Sequence, residues 1–263
     1  MTNDPVQLGA MLFTLVDPHE GHEVAYNRWY ERDHYFGGVL LGPGTLSGSR
    51  WVATRDLKDL RFPSESSVAI PSDRGSYLAT YFIEASHVKT HFDWASAEVY
   101  KLYEAGRGFE QRTHAHTCLY LFKGSTHRDT DGVPDTLALE HRYQGLVSLH
   151  VDRHDGVSDA DLSDWTSAHA PESILEADSP LASIQHWRPI ISDREGPMDL
   201  GTPGGGPERS LQLVFCDAEP AAVMDRVRAW CAQLESAGMA STALAAPFTP
   251  TIPGTDTYTD RLW

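Results

Sequence analysis

The segment NRWYERDHYFGGVLLGPGTLSGSRW, residues 27–51, decides the fold because it contains a helix, its end and a strand. From residue 23 to residue 33, aromatic and polar side chains recur at intervals of three and four, which predicts a helix with one buried face. Gly37 and Gly38 are typical of a helix end, and Gly42-Pro43-Gly44 predicts a turn. An alternating strand that ends at Trp51 then follows.

The same segment contains the candidate catalytic residues. His34 lies near the predicted helix end, where the helix dipole favours imidazolium and raises the pKa, so we predict a general acid/base. Tyr30 lies one turn earlier on the same side and can donate a hydrogen bond to a developing oxyanion, while Asp33 can orient the imidazole. A lone histidine at a helix end is more often a cap, and Trp29 with Tyr30 can be core, so a structural role stays open.

Composition excludes several partners. The chain of 263 residues has 21 Lys and Arg against 37 Asp and Glu, a formal net charge of −16. Such an acidic surface repels phosphate backbones and anionic lipid, so we expect neither nucleic acid nor a membrane as partner.

The cysteines and the N-terminus indicate a cytoplasmic location. Cys118, Cys216 and Cys231 are widely spaced and odd in number, which favours neither a disulfide framework nor a metal knuckle. The first 17 residues lack the basic start of a signal peptide, and no run reaches the roughly 20 apolar residues of a membrane span.

The chain contains two copies of one plan. Strands at 10–16, 46–51, 76–83 and 114–122 and helices at 23–33 and 92–106 give the order βαββαβ in the first copy, which is typical of an antiparallel sheet with two helices on one face. Strands at 146–152, 181–189, 211–216 and 242–248 and helices at 159–170 and 221–237 repeat it. We therefore predict an α+β protein made by duplication, with units at 5–123 and 144–263 and a polar linker at 124–143.

The second copy retains part of the candidate site. Trp165 and His169 correspond to Trp29 and His34, and His186-Trp187 correspond to Arg50-Trp51. Thr166 stands where the first copy has Tyr30, which favours the first unit as the active half.

The motifs WYERDH and PGTLSGSRW resemble the EthD-type and related branches of the dimeric α+β barrel superfamily. The resemblance implies two ferredoxin-like units whose sheets pack into a barrel, here within one chain. It also implies a pocket between a sheet and its own helices. We expect that pocket to be lined by Trp29, Arg50, Trp51, Tyr81 and His116 in addition to the catalytic residues. Aromatic walls of this kind suit an aromatic or polycyclic ligand.

The resemblance implies a cofactor-independent enzyme, a lyase or isomerase, that performs isomerisation, dehydration, decarboxylation or C–C cleavage on a hydrophobic small molecule. A cofactor-free monooxygenase and a non-catalytic small-molecule or haem-binding protein are the open alternatives, since the fold does not determine the reaction. A homodimer is a further open alternative.

Other histidines give weaker signals. His114 and His116 are two apart on a strand and His87 and His91 are four apart on a helix, so either pair could start a metal site, although we predict none. His169 or His116 could serve as an axial haem ligand.

Two insertions, residues 55–75 and 192–209, lie between strands two and three of each unit. We predict mobile flaps over the pocket mouths, with the first, more apolar insertion as the lid.

Overall fold

Eight strands form a closed antiparallel barrel in the computed structural model, which describes residues 5–190 and 199–263. The strands are β1 (Leu8–Pro18), β2 (Thr45–Val52), β3 (Tyr77–Glu84), β4 (Arg112–His127), β5 (Gly145–Arg153), β6 (Leu181–Pro189), β7 (Arg209–Cys216) and β8 (Ala240–Pro250). Around the barrel their order is β1-β3-β2-β8-β5-β7-β6-β4.

Helices cover the outside of the barrel. They are α1 (Glu23–Trp29), α2 (Arg55–Lys58), α3 (Val88–Glu104), α4 (Asp159–His169) and α5 (Pro220–Ser236), with short 3₁₀ turns at Ala85–His87, Asp135–Leu137 and Ala170–Glu172. Two π-helical segments, Tyr30–His34 and Phe36–Leu40, continue α1. A capping box between Ser158 and Asp161 starts α4.

The two halves share one strand order. The first half runs β4-β1-β3-β2 around the barrel and the second runs β8-β5-β7-β6. The prediction of two ferredoxin-like units whose sheets pack into an intramolecular α+β barrel is confirmed. Strand β4 continues to His127 and pairs with β6 there, so the first four residues of the predicted linker belong to a strand.

The two junctions between the halves differ in length. Strands β4 and β6 pair at seven positions, from Tyr120 with Pro189 to His127 with Ser183. Strands β2 and β8 pair only through Trp51 with Pro250 and Val52 with Thr249. Most of β2 therefore has no strand neighbour on that side.

Strand alternation separates three apolar layers. In β1, Phe13 and Leu15 point into the barrel, where residues from both halves form one cluster. Their neighbour Val16 points outward toward α1. In the second half Val147 and Leu149 of β5 pack outward in a cluster with residues of α4 and α5.

An extra residue in β4 changes the direction of two histidines. His116 pairs with Leu15, whereas His114 pairs with Val16, so Ala115 is a β-bulge. His116 consequently points into the barrel against Phe13, and His114 points toward the helices. The expectation that these two histidines share a face is wrong, because the bulge breaks the alternation.

The first insertion is part of the core. Leu57, Val68 and Ala69 belong to the cluster inside the barrel, and Arg61 donates hydrogen bonds to the carbonyl groups of Ser72, Arg74 and Gly75. The prediction that residues 55–75 form a mobile lid is therefore wrong. Of the second insertion, residues 192–198 lie outside the described residues.

Asp17 joins β1 to the end of the first insertion, and its charge is predicted to stabilise the fold. Its buried carboxylate accepts hydrogen bonds from the Gly75 and Ser76 amides and from Ser76 Oγ, and it lies 3.8 Å from Lys58 Nζ. Asp17→Asn turns one of these acceptors into a donor that faces an amide, so we expect the free energy of unfolding to fall by about 2–4 kcal/mol in urea titrations. Asp131→Asn, at an exposed position, is the control, and equal stability of the two variants would contradict this role.

Candidate active site

A cavity of about 410 Å³ lies between the first sheet and its helices. Its walls come from β1, β4, α3, the π-helical continuation of α1 and residues 200–205 of the second insertion. The apolar part of the lining comprises Leu12, Val39, Phe92, Ala95, Val99, Leu119, Ile190, Leu200 and Pro203. Tyr30, His34, His91, Ser96, Tyr100, Arg112, His114, Thr117 and Thr202 supply polar groups. This size and polarity suit a small hydrophobic molecule.

The helix does not end at the glycine pair. Gly37 and Gly38 belong to the second π-helical segment, and neither has a positive φ. A Cβ on Gly38 would lie 2.9 Å from His34 Cε1, so the missing side chain makes room for the imidazole. The expectation that these glycines stop the helix is wrong: Gly38 packs closely on His34, and Gly37 lies against Arg107 and Asp33. π-Helical turns of this kind occur frequently at functional sites.

Burial makes the His34 imidazole neutral. The ring stacks on Trp29 with a centroid separation of 4.5 Å and lies edge-on to Tyr30. Desolvation, with the positive charge of Arg112 as the next contribution, lowers the pKa of His34 to about 3. The expected increase of this pKa by the helix dipole is therefore wrong, because desolvation is the larger effect and the helix continues past His34.

Asp33 does not orient this imidazole. Its carboxylate forms an ion pair with Arg107, whose Nε lies 3.0 Å from Asp33 Oδ2. The role predicted for Asp33 is wrong, because Arg107 takes both carboxylate oxygens.

A second imidazole, that of His114, joins His34 in the cavity. The β-bulge turns it toward the helices, and its Nδ1 lies 2.7 Å from Thr117 Oγ1. Its buried Nε2 has no hydrogen-bond partner among residues 5–190 and 199–263. Desolvation and the charge of Arg112 lower the pKa of His114 to about 3. The sequence contained no sign of the bulge, so the spacing indicated this residue only as a metal ligand.

The Tyr30 hydroxyl is hydrogen-bonded to that of Tyr81, which lies beneath the cavity. Tyr30 and Tyr81 are buried, with their hydroxyl oxygens 2.9 Å apart. Either hydroxyl can donate in this hydrogen bond, and Tyr30 lines the cavity. Arg50 lies over the Tyr30 ring at 4.5 Å and donates to Asn27 and Glu31.

Arg112 is the functional candidate that the sequence did not reveal. It lines the cavity, lies over the Trp29 ring at 4.5 Å and donates a hydrogen bond to Tyr103. Its charge disfavours protonation of both His34 and His114. Its position two residues before His114 at the start of β4 gave no distinguishing signal.

Two predicted pocket residues lie on the opposite face of the sheet. Trp51 and His116 point into the barrel interior, where Trp51 donates to Thr80 and His116 contacts Tyr120 and Thr202. Their placement in the pocket is wrong, because adjacent strand positions alternate between the two faces and the bulge reverses His116.

The corresponding positions of the second half have different contacts. Thr166 accepts a hydrogen bond from Gln212, and the buried Trp230 donates to Gln212 and packs on Trp165. His169 lies at the surface, stacked on Trp165. His186 is buried on the helix side of β6, whereas Trp187 lies inside the barrel. These positions therefore correspond to the first-half site in chain order, while their contacts differ.

Each histidine named as a haem or metal ligand has a protein partner for at least one ring nitrogen. Both ring nitrogens of His116 are hydrogen-bonded, and His169 Nδ1 lies 2.8 Å from the Trp165 carbonyl oxygen at the surface. His87 pairs with Glu84, and His91 Nδ1 lies 3.0 Å from the Pro43 carbonyl oxygen. In the described part of the chain, no three His, Cys, Asp or Glu side chains form a group suited to a metal ion.

Residues 200–205 connect the second half to this cavity. The Thr117 amide donates to the Leu200 carbonyl, and the Thr202 amide donates to the Ala115 carbonyl at the bulge. One wall of the first-half cavity is thus supplied by a segment that follows β6 of the second half.

Comparison with known proteins gives matches in fold only. No protein-family model and no curated protein matches the chain. A protein described as a chlorite dismutase aligns with a TM-score of 0.51 and 8% identity over 98% of this chain and 100% of its own. An anthrone oxidase-like protein aligns with a TM-score of 0.52 and 7% identity over 96% and 98%. Chlorite dismutase from Candidatus Nitrospira defluvii, in complex with imidazole, aligns with a TM-score of 0.50 and 8% identity over 97% and 94%. These matches establish the ferredoxin-like α+β barrel as the shared fold.

The helices of residues 5–190 and 199–263 include none with the length and apolar character of a membrane span.

The burial of His34 and His114 predicts their titration. Since their pKa values of about 3 lie below the ordinary value near 6.5, the unfolded chain binds protons that the folded chain does not. Above about pH 6.5 the titration of these two residues does not change the free energy of unfolding, and that free energy decreases as the pH falls from 6.5 toward 3. We expect the ¹⁵N chemical shifts of both imidazoles to remain those of the neutral ring from pH 8 to about pH 5. The variants His34→Gln and His114→Gln assign the two signals. A midpoint near that of free histidine would contradict the burial.

Proposed function

We propose that the first-half cavity is the active site of a cofactor-independent enzyme that removes a proton from a hydrophobic, aromatic or polycyclic substrate. The observation that carries this proposal is the presence of two neutral imidazoles, His34 and His114, beside the Arg112 guanidinium in one largely apolar cavity. The substrate class suited to these groups has an enolisable carbonyl or a phenol, because its conjugate base places negative charge on oxygen.

The groups have complementary roles in this proton transfer. His34 accepts the proton of the substrate C–H bond, and the electron pair moves onto the substrate oxygen. Arg112 and the Tyr30 hydroxyl then stabilise the oxyanion. The imidazolium is strongly disfavoured in the empty cavity, but the substrate anion that forms beside it compensates for its charge. Charge separation is thereby coupled to the presence of a substrate.

The fate of this anion sets the reaction. Return of the proton to another carbon is isomerisation, and loss of a neighbouring hydroxide is dehydration. In decarboxylation and C–C cleavage the imidazole removes the carboxyl or hydroxyl proton instead, loss of carbon dioxide or a carbonyl fragment leaves the same kind of anion, and the imidazolium returns the proton to its carbon. These outcomes define a lyase or isomerase, and each requires only the acid/base groups of the cavity.

A cofactor-free monooxygenase is the second candidate, and the alignment with an anthrone oxidase-like protein supports it. The same substrate anion would react with molecular oxygen, so that a CH₂ group becomes C=O with consumption of one O₂ and release of one water. The first step is shared, and oxygen consumption separates the two candidates.

We also propose that the chain belongs to an EthD-type branch and arose by duplication. The motifs WYERDH and PGTLSGSRW and the equal strand order of the two halves support this origin. The departure at Thr166, where the threonine accepts from Gln212 instead of taking the place of Tyr30, supports a catalytic role for the first half alone.

Proton removal can be tested before the natural substrate is identified. We expect the protein to accelerate deuterium incorporation at the methylene carbon of anthrone in D₂O, measured by mass spectrometry under nitrogen. His34→Gln should reduce this rate about 10²- to 10⁴-fold, because a positioned general base contributes that much. Asp33→Asn is the control, since Asp33 pairs with Arg107 outside the cavity.

An oxygen electrode then assigns the class. Oxygen uptake with anthrone that depends on His34 favours the monooxygenase, and exchange without uptake favours a lyase or isomerase. Binding of anthrone without any exchange would reject the enzyme proposal in favour of a carrier.

A further inference from the structure

A second cavity lies at the short junction between the halves. It has a volume of about 530 Å³ and is bordered by β2, the continuation of α1 and the segment after β8. We name it the seam cavity, and its lining comprises Arg28, Glu31, Arg32, Tyr35, Phe36, Gly48, Ser49, Arg50, Leu139, Pro250, Thr251, Pro253, Gly254, Thr255 and Asp256. It shares no lining residue with the candidate active site.

The seam cavity exists because β2 and β8 separate after two residue pairs. Beyond these two pairs Thr251 still donates to the Arg50 carbonyl, and farther along β2 the Gly48 carbonyl accepts a hydrogen bond from the Tyr35 hydroxyl. Residues 250–256 cross the opening and are attached to the helix by Gly254 N to Glu31 and by Asn27 to the Thr255 carbonyl. The walls are therefore held from both halves.

The charges of the seam cavity are unusual for this chain. Three arginines and two carboxylates line it, so it carries a positive excess in a protein of net charge −16. Arg28 pairs with Asp256, and Arg50 donates to Glu31. The side chain of Arg32 is exposed and forms no hydrogen bond or ion pair with any residue in the described ranges. One guanidinium is thus left to bind a ligand.

The apolar surfaces beside Arg32 indicate the rest of the ligand. Phe36 is 45% exposed although it borders a cavity, and Tyr35, Leu139 and Pro250 continue the apolar wall. The volume exceeds that of an inorganic ion and lies in the range of small-molecule sites. A guanidinium matches the planar carboxylate group in two parallel hydrogen bonds.

We propose that the seam cavity binds an aromatic carboxylate, with its carboxylate on Arg32 and its ring against Phe36. This site is separate from the proposed active site, and its ligand differs from the substrate in carrying a full negative charge before binding.

The test uses 2-naphthoate, with 2-naphthamide as the uncharged probe, in isothermal titration calorimetry at low salt. We expect one molecule of 2-naphthoate to bind, with an affinity that decreases as salt is added, and much weaker binding of the amide. Arg32→Gln should weaken 2-naphthoate binding about 10- to 100-fold, and Arg32→Lys should restore part of it.

Two control variants show whether 2-naphthoate binds in the seam cavity. Arg142→Gln removes one exposed positive charge outside both cavities and should leave the affinity unchanged. His34→Gln alters the candidate active site and should also have no effect. Equal binding of acid and amide, an affinity that depends on His34 rather than on Arg32, or no binding at millimolar 2-naphthoate would overturn the proposal.

Discussion

The single extra residue Ala115 in β4 determines how both faces of the first sheet are used. A regular strand would direct His114 and His116 to the same side, since side chains two apart share a face. The bulge instead places one imidazole in the cavity and the other in the barrel interior, and its own carbonyl binds Thr202. The second imidazole of the site and the wall supplied by the other half both depend on this irregularity.

Desolvation is the dominant electrostatic effect at the site. No Asp or Glu lies among the described residues that line the cavity, although the chain has 37 acidic residues. The imidazoles are neutral beside a guanidinium because desolvation outweighs the attraction of Asp33 for His34 and of Asp199 for His114. A negative charge has to come from the bound molecule, so the empty site favours molecules that can lose a proton.

Periodic features of the sequence predicted the fold, and irregular ones explain the errors. The apolar run at β1 and the repeated strand and helix order were sufficient for two ferredoxin-like units. Gly37 and Gly38 look like a helix end in any sequence, and only the packing of His34 shows that they lie within π-helical turns. The sequence places Val68 and Ala69 in a flap because the segment around them is rich in Pro and Ser, although both residues are in the core. Thr166, in the place of Tyr30, did indicate from the sequence that the second half differs at the candidate site.

The two junctions of the barrel differ in the number of strand pairs that hold them together. Seven residue pairs join β4 to β6, whereas two residue pairs and the bonds of residues 250–256 join β2 to β8, so we expect partial thermal opening of the barrel to begin at the β2 side. We expect the longer junction to act as the hinge in that opening. Such motion widens the gap crossed by residues 250–256 and leaves the distance between β4 and residues 200–205 nearly constant. Amide protons of the β2–β8 pairs should therefore exchange with solvent sooner than those of the β4–β6 pairs.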